Sequence, residues 1–139
     1  MEELLAYALL FCEGFDVGDL YAEQLNKLFL EHPDSKEYLY LQSLSSQKDA
    51  VLHTVSALSS ASPDTGILGR ALMKRLEQEY ARDDLRAFSR RMYSLWSKLL
   101  PAVQYEEPFY TLNHAGDCLS YGDEKQCRKL YEEAFHFYD

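Results

Sequence analysis

The stretch ILGRALMKRLEQEYARDDLRAFSRRMYSLWSKLL, residues 67–100, decides the fold. It contains no proline, and no glycine beyond Gly69, so its length permits a single helix. The phase of its apolar residues argues for two. At the helical spacing, Leu68, Leu72, Leu76 and Tyr80 form one stripe. Leu85, Phe88, Met92, Leu95, Trp96 and Leu99 form a second, rotated by roughly 150° from the first. One straight helix cannot bury both stripes against the same core. A break at Arg82-Asp83-Asp84 removes the conflict, and either aspartate can cap the helix that follows.

The same logic extends outward. Helix one is expected over Glu2 to Glu13, ending at Gly14, and a second over Val17 to His32, stopped by Pro33. Asp34 and Glu37 stand at capping-box spacing before a short helix carrying Tyr38, Leu41 and Leu44. A helix over Gln47 to Ser59 follows, and Ser62-Pro63-Asp64 has the order of cap, proline and acid that starts another. Beyond Pro101 the expectation is a loop over Val103 to Glu107, then a helix from Pro108 to Tyr121 interrupted by Gly116. Asp123 and Gln126 are spaced to cap a closing helix that buries Cys127, Leu130, Tyr131, Ala134, Phe135 and Tyr138. No stretch alternates as a strand does. The expectation is an all-α chain, 1–139 as a single helical domain, with about eight antiparallel helices packed as helical hairpins.

Composition narrows the function classes. Apolar residues make up 47% of the 139 residues, enough for a core, and the aromatic set is eleven Tyr, seven Phe and one Trp. The first apolar run, Leu4 to Cys12, is half of what a membrane span of about twenty residues needs. Met1-Glu2-Glu3 is acidic where a secretory leader is basic, and Cys12, Cys118 and Cys127 are an odd set at irregular spacing. A cytoplasmic chain with reduced thiols, no membrane and no nucleic acid partner is the expectation. The net charge of −9 opposes phosphate neutralisation. That charge is uneven: residues 1–66 hold three basic and eleven acidic residues, residues 67–100 hold eight and four, and residues 101–139 hold three and eight.

Chemistry-bearing constellations are sparse. His114 and Cys118 lie four apart, and Cys127 with His136 could complete a zinc set, but the spacing matches no short metal motif. Both cysteines read more simply as small apolar packing residues. No serine lies in a nucleophile elbow, Glu106-Glu107 reads as a solvated pair, and Thr65-Gly66-Ile67-Leu68-Gly69-Arg70 lacks the spacing and lysine of a phosphate loop. The expectation is no enzyme and no cofactor.

The chain does carry a local motif. Gly122 is followed by Cys127, Tyr131 and Ala134 at the positions where a tetratricopeptide repeat places its turn glycine, small residue, aromatic and alanine. Residues 115–138 therefore resemble that family. Ala50 and Ala57, then Ala87 and Ser94, echo the seven-residue separation, at intervals longer than the family's and without its aromatic. The resemblance implies stacked helical hairpins presenting a groove to a protein or peptide.

The basic segment supplies the candidate site. Arg82, Arg86 and Arg90 recur every four residues, and with Tyr93, Tyr121 and Tyr131 they are the residues expected to contact a partner. The plain alternative is a solvated face offset by pairs such as Arg75 with Glu79. The functional expectation is a small interaction module for a protein or peptide. The rival is an acidic inhibitor that masks a basic enzyme or imitates nucleic acid. The aromatic run Phe135 to Tyr138 makes a homodimer possible.

Overall fold

A computed structural model describes all residues from Met1 to Asp139. The chain is all-helical, without a strand. Its elements are α1 (Glu2–Cys12), α2 (Gly18–Glu31), α3 (Lys36–Ser43), α4 (Gln47–Ser60), α5 (Thr65–Tyr80), α6 (Leu85–Ser97), α7 (Pro101–Gln104), α8 (Phe109–His114), a 3-10 segment (Ala115–Tyr121) and α9 (Glu124–Phe135). The break between the two stripes falls where the phase argument puts it. α5 ends at Tyr80, and α6 is capped by Asp84, whose carboxylate accepts from the Ala87 amide at 3.1 Å.

Three local expectations need correcting. Ser35, not Asp34, caps α3, its Oγ accepting from the Tyr38 amide at 3.3 Å. Asp64, not Ser62, caps α5 through the Ile67 amide at 3.1 Å; Ser62 has φ +54°, far from the extended backbone of a capping residue. The loop expected over Val103 to Glu107 is shorter: a single helical turn over Pro101–Gln104, with proline at its start where the missing amide costs nothing, takes up Val103 and Gln104, and Tyr105 to Glu107 remain non-helical.

The chain divides into two compact units, Met1–Leu68 and Gly69–Asp139. In the first, α1 packs on α4 and α2, while α3 bridges α2 and α4. α1 is apolar almost all round, burying Leu4, Leu5, Ala6, Ala8, Leu9 and Leu10, as a central helix must. A buried polar link joins α2 to α4: Tyr21 Oη and Thr54 Oγ1 are 2.8 Å apart, and Thr54 also donates to the Ala50 carbonyl.

In the second unit α6 packs on α8 and the 3-10 segment, which in turn packs on α9. The core is aromatic. Phe88 meets Tyr80, Tyr131 and Phe135 in edge-on or near edge-on contacts of 5.1 to 6.1 Å, geometries favoured by the ring quadrupoles. The helix expected over Pro108 to Tyr121 changes to the tighter 3-10 form at Ala115. Gly116 follows that change and lies so close to α6 that an added Cβ would sit 2.9 Å from the Ser89 Cβ. Gly122 turns the chain at φ +79°, and Asp123 caps α9 through the Gln126 amide at 3.0 Å. Cys127, Tyr131, Ala134 and Phe135 are buried, whereas Leu130 and Tyr138 are half-buried.

Candidate functional site

The six residues expected to form a partner surface separate in the structure. Tyr131 is a correction: it is fully buried, donating to Ser89 Oγ at 3.0 Å, because position 131 on α9 faces the Phe88 ring. Arg82 lies in the turn before the Asp84 cap, so it is not on the α6 face with Arg86 and Arg90. Arg86 borders a shallow depression of about 250 Å³ whose walls also carry Asp83, Asp84, Glu124 and Arg128. Arg128 there is already held by Glu124 at 2.9 Å and Tyr80 Oη at 3.2 Å. Tyr121 is exposed, and its hydroxyl donates to Cys118 Sγ at 3.5 Å, the leading cause of a raised pKa.

Arg90 and Tyr93 do come together. They line a depression of about 450 Å³ with Ser89, Asn113, Gly116 and Asp117. α6 supplies one wall; α8 and the 3-10 segment supply the other. Of its lining residues, Tyr93 also belongs to a row of ring contacts. Tyr93 lies 6.1 Å from Trp96, Trp96 5.9 Å from Tyr105, Tyr105 5.7 Å from Tyr110, and Tyr110 5.0 Å from His114. Tyr93 is 57% exposed and Tyr105 73%, so the row faces solvent.

Trp96 was expected on a buried stripe, yet it is only half-buried and forms the centre of the row. A reciprocal pair fixes it: the indole Nε1 donates to the Gln104 carbonyl at 2.7 Å, and Gln104 Nε2 donates to the Trp96 carbonyl at 3.2 Å. α7 is thereby tied to α6, and Tyr105 is held edge-on against the indole at 85°. The hydroxyls of Tyr93, Tyr105 and Tyr110, the Asn113 amide and the Arg90 guanidinium make no hydrogen bond or ion pair within the chain. Sequence reading missed Trp96, Tyr105, Tyr110 and Asn113 as surface partners, since no fixed spacing joins residues brought together by two turns.

Under this depression lies a small polar cluster. Ser89 Oγ is 3.9 Å from Cys127 Sγ and accepts from Tyr131. Burial pushes the Cys127 thiol up, and a protonated thiol is a weak nucleophile. Burial likewise pushes the Tyr131 phenol up, with the Ser89 hydrogen bond opposing. Elsewhere, no group of three or more His, Cys, Asp or Glu side chains is arranged to hold a metal ion. His136 is instead engaged by Asp139 at 2.5 Å and Glu77 at 2.6 Å. At the closing run, Phe135 is buried and Phe137 is 51% exposed. No helix is long and apolar enough to cross a membrane.

Compared with protein-family models, with curated proteins and with solved structures, the chain has no match.

Proposed function

We propose that this chain is a non-catalytic protein-binding module whose contact surface is the ring row and adjoining depression of the second unit. The observation that carries this reading is the contiguous row Tyr93–Trp96–Tyr105–Tyr110, in which Tyr93 and Tyr105 are exposed and Trp96 and Tyr110 half-buried. Tyrosine, tryptophan and arginine dominate the energetics of interfaces, because each joins a large contact area to a hydrogen-bonding tip. Trp96 is already fixed by Gln104, so little rotamer freedom is left to lose on binding. The test is affinity capture from the native host with the intact chain and with a variant combining Arg90→Glu, Tyr93→Ala and Tyr105→Ala. A partner retained by the first and lost by the second, with the helical circular dichroism unchanged, supports the reading. Equal capture by both removes this surface.

A second reading has its own observation. The first unit carries three basic and eleven acidic residues, and Glu3, Asp16, Asp19, Glu23, Glu31, Asp34, Asp49 and Asp64 are all exposed. Such a surface suits a basic partner attracted by long-range charge. Capture through it would collapse as salt rises, since exposed charges are screened beyond about 8–10 Å at moderate ionic strength. Capture through the ring row would persist.

A further inference from the structure

We propose that the groove between α8 and α9 binds an arginine side chain of a partner protein, its stem laid on the apolar floor and its guanidinium held between Glu107 and Glu133. This contact is separate from the ring row and does not depend on it.

The groove is built by helical spacing. Pro108, Thr111 and His114 recur every three residues along α8, with Glu107 beside the first of them. Leu130, Glu133, Ala134 and Phe137 follow the same period along α9 and the turn after it. These two faces line one depression of about 290 Å³. Pockets for drug-sized molecules begin at about 300 Å³, so this one suits a single long side chain. Its floor is apolar: Pro108 and Ala134 are buried, Leu130 is half-buried, and the Phe137 ring is exposed at the rim.

The charge follows from the walls. Glu107 and Glu133 stand one on each face, and no lysine or arginine lines the groove. The remaining ionisable lining residue, His114, has its ring 5.0 Å from that of Tyr110. Glu107 is oriented by the buried Thr111, whose hydroxyl donates to its Oε2 at 2.6 Å, leaving the second oxygen for another donor. Glu133 meets Lys129 at 3.9 Å, a long contact between two exposed side chains. Such a pair contributes little and yields to a better-placed donor. The groove also lies at the C-terminal end of α9, where the helix dipole favours a cation and the last turn holds no basic residue. Lys125, Arg128 and Lys129, the three cations of residues 101–139, all lie in the first half of that helix. Arginine fits better than lysine. Its planar fork of five donors can bond two carboxylates from one position while its face lies on the Phe137 ring.

The test is selection of a random heptapeptide phage library on the intact chain. The strongest peptide is then synthesised and titrated into the isotope-labelled chain, followed by NMR. The expected result is enrichment of arginine, with saturable shifts at Thr111, Leu130 and Phe137. Replacing that arginine by citrulline, which keeps the shape without the charge, should abolish the shifts, and lysine should weaken them. Glu107→Gln combined with Glu133→Gln should weaken the peptide by about fivefold or more, the scale of two partly screened ion pairs. Glutamine at 107 can still accept from Thr111, so the helical circular dichroism should be unchanged. Phe137→Ala should weaken the peptide by about twofold or more. Selection without arginine, equal binding of the citrulline or lysine peptide, or an affinity indifferent to the two glutamines overturns the inference. So does arginine amide binding as tightly as the peptide, which would assign the groove to a small molecule. Self-association that Phe137→Ala abolishes would assign it to a second copy and likewise overturn the inference. Peptides lost with the Arg90, Tyr93 and Tyr105 variant but kept by the two glutamines overturn this inference and leave the ring row standing. Peptides lost with the two glutamines alone support it, whatever the ring row does.

Discussion

Replacing Tyr131 by phenylalanine separates a core residue from a contact residue. Tyr131 is fully buried, and its hydroxyl donates to Ser89 Oγ at 3.0 Å. Tyr131→Phe keeps the ring against Phe88 and Phe135 and deletes that bond. Ser89 is half-buried at the edge of the depression, so water can reach the acceptor left behind. The cost is therefore that of one ordinary buried hydrogen bond, about 1 kcal/mol. Tyr131→Ala, which also empties the ring's volume, should cost about 3–5 kcal/mol.

The same substitution has a signature in pH. Burial raises the Tyr131 phenol above its unfolded value of about 10, so the folded chain keeps this proton when the unfolded chain has lost it. The stabilisation is fully present below pH 10 and falls as pH rises above it, because there the unfolded state binds fewer protons than the native one. One proton of difference corresponds to about 1.4 kcal/mol per pH unit. Urea denaturation followed by Trp96 emission, at neutral pH and at several values above 10, reads both quantities in the unit that holds Tyr131. Tyr131→Phe should show the loss near neutrality and an alkaline slope shallower by one proton. No change in either, together with loss of partner capture, would refute the buried placement and return Tyr131 to the surface.

Further outcomes follow from single contacts. Gly122→Ala forces a Cβ into φ +79° and should cost about 1–2 kcal/mol, read as a lower urea midpoint. Asp84→Ala removes the α6 cap and should cost about 1 kcal/mol, with Asp84→Ser recovering most of it. His136 has its pKa raised, first by the hydrogen bond to Asp139 and then by Glu77. Asp139→Asn should lower its NMR titration midpoint. Any stability that pair contributes is present below the unfolded histidine pKa and is lost as pH rises through the folded one. Gln104→Ala removes the donor that holds the Trp96 carbonyl and should shift Trp96 emission to the red as the indole becomes wetter.

Helix identity was legible wherever the apolar phase was continuous or a cap was unambiguous. The stripe rotation across Arg82-Asp83-Asp84 located the α5–α6 break, and Asp123 marked the start of α9. Cap register was less legible where two polar residues adjoin, because Asp34 and Ser35 are both good caps and only the geometry of the turn chooses between them. The switch to 3-10 form at Ala115 has no strong sequence signal; the neighbouring close approach of Gly116 to Ser89 is a tertiary fact. The candidate surface was only partly legible. Arg90 and Tyr93, three apart on one helix, could be paired by periodicity. Tyr105 and Tyr110 could not, since their place beside Trp96 depends on the Gln104 pair and on the turns around α7. Tyr131 was read both as a buried position of the closing helix and as a contact residue, since an aromatic with a polar tip serves cores and surfaces equally well, and only the buried reading holds.

The most direct measurement of whether the second unit's ring row contacts a partner is site-specific photo-crosslinking in the native host. A benzophenone amino acid would replace Tyr105, or in a separate chain Leu52, which is 51% exposed in the first unit. The expected result is a discrete protein adduct from position 105, absent from position 52 and abolished by Arg90→Glu in the same chain. Adducts from position 52 alone, or adducts from position 105 that Arg90→Glu leaves unchanged, would contradict the proposed surface.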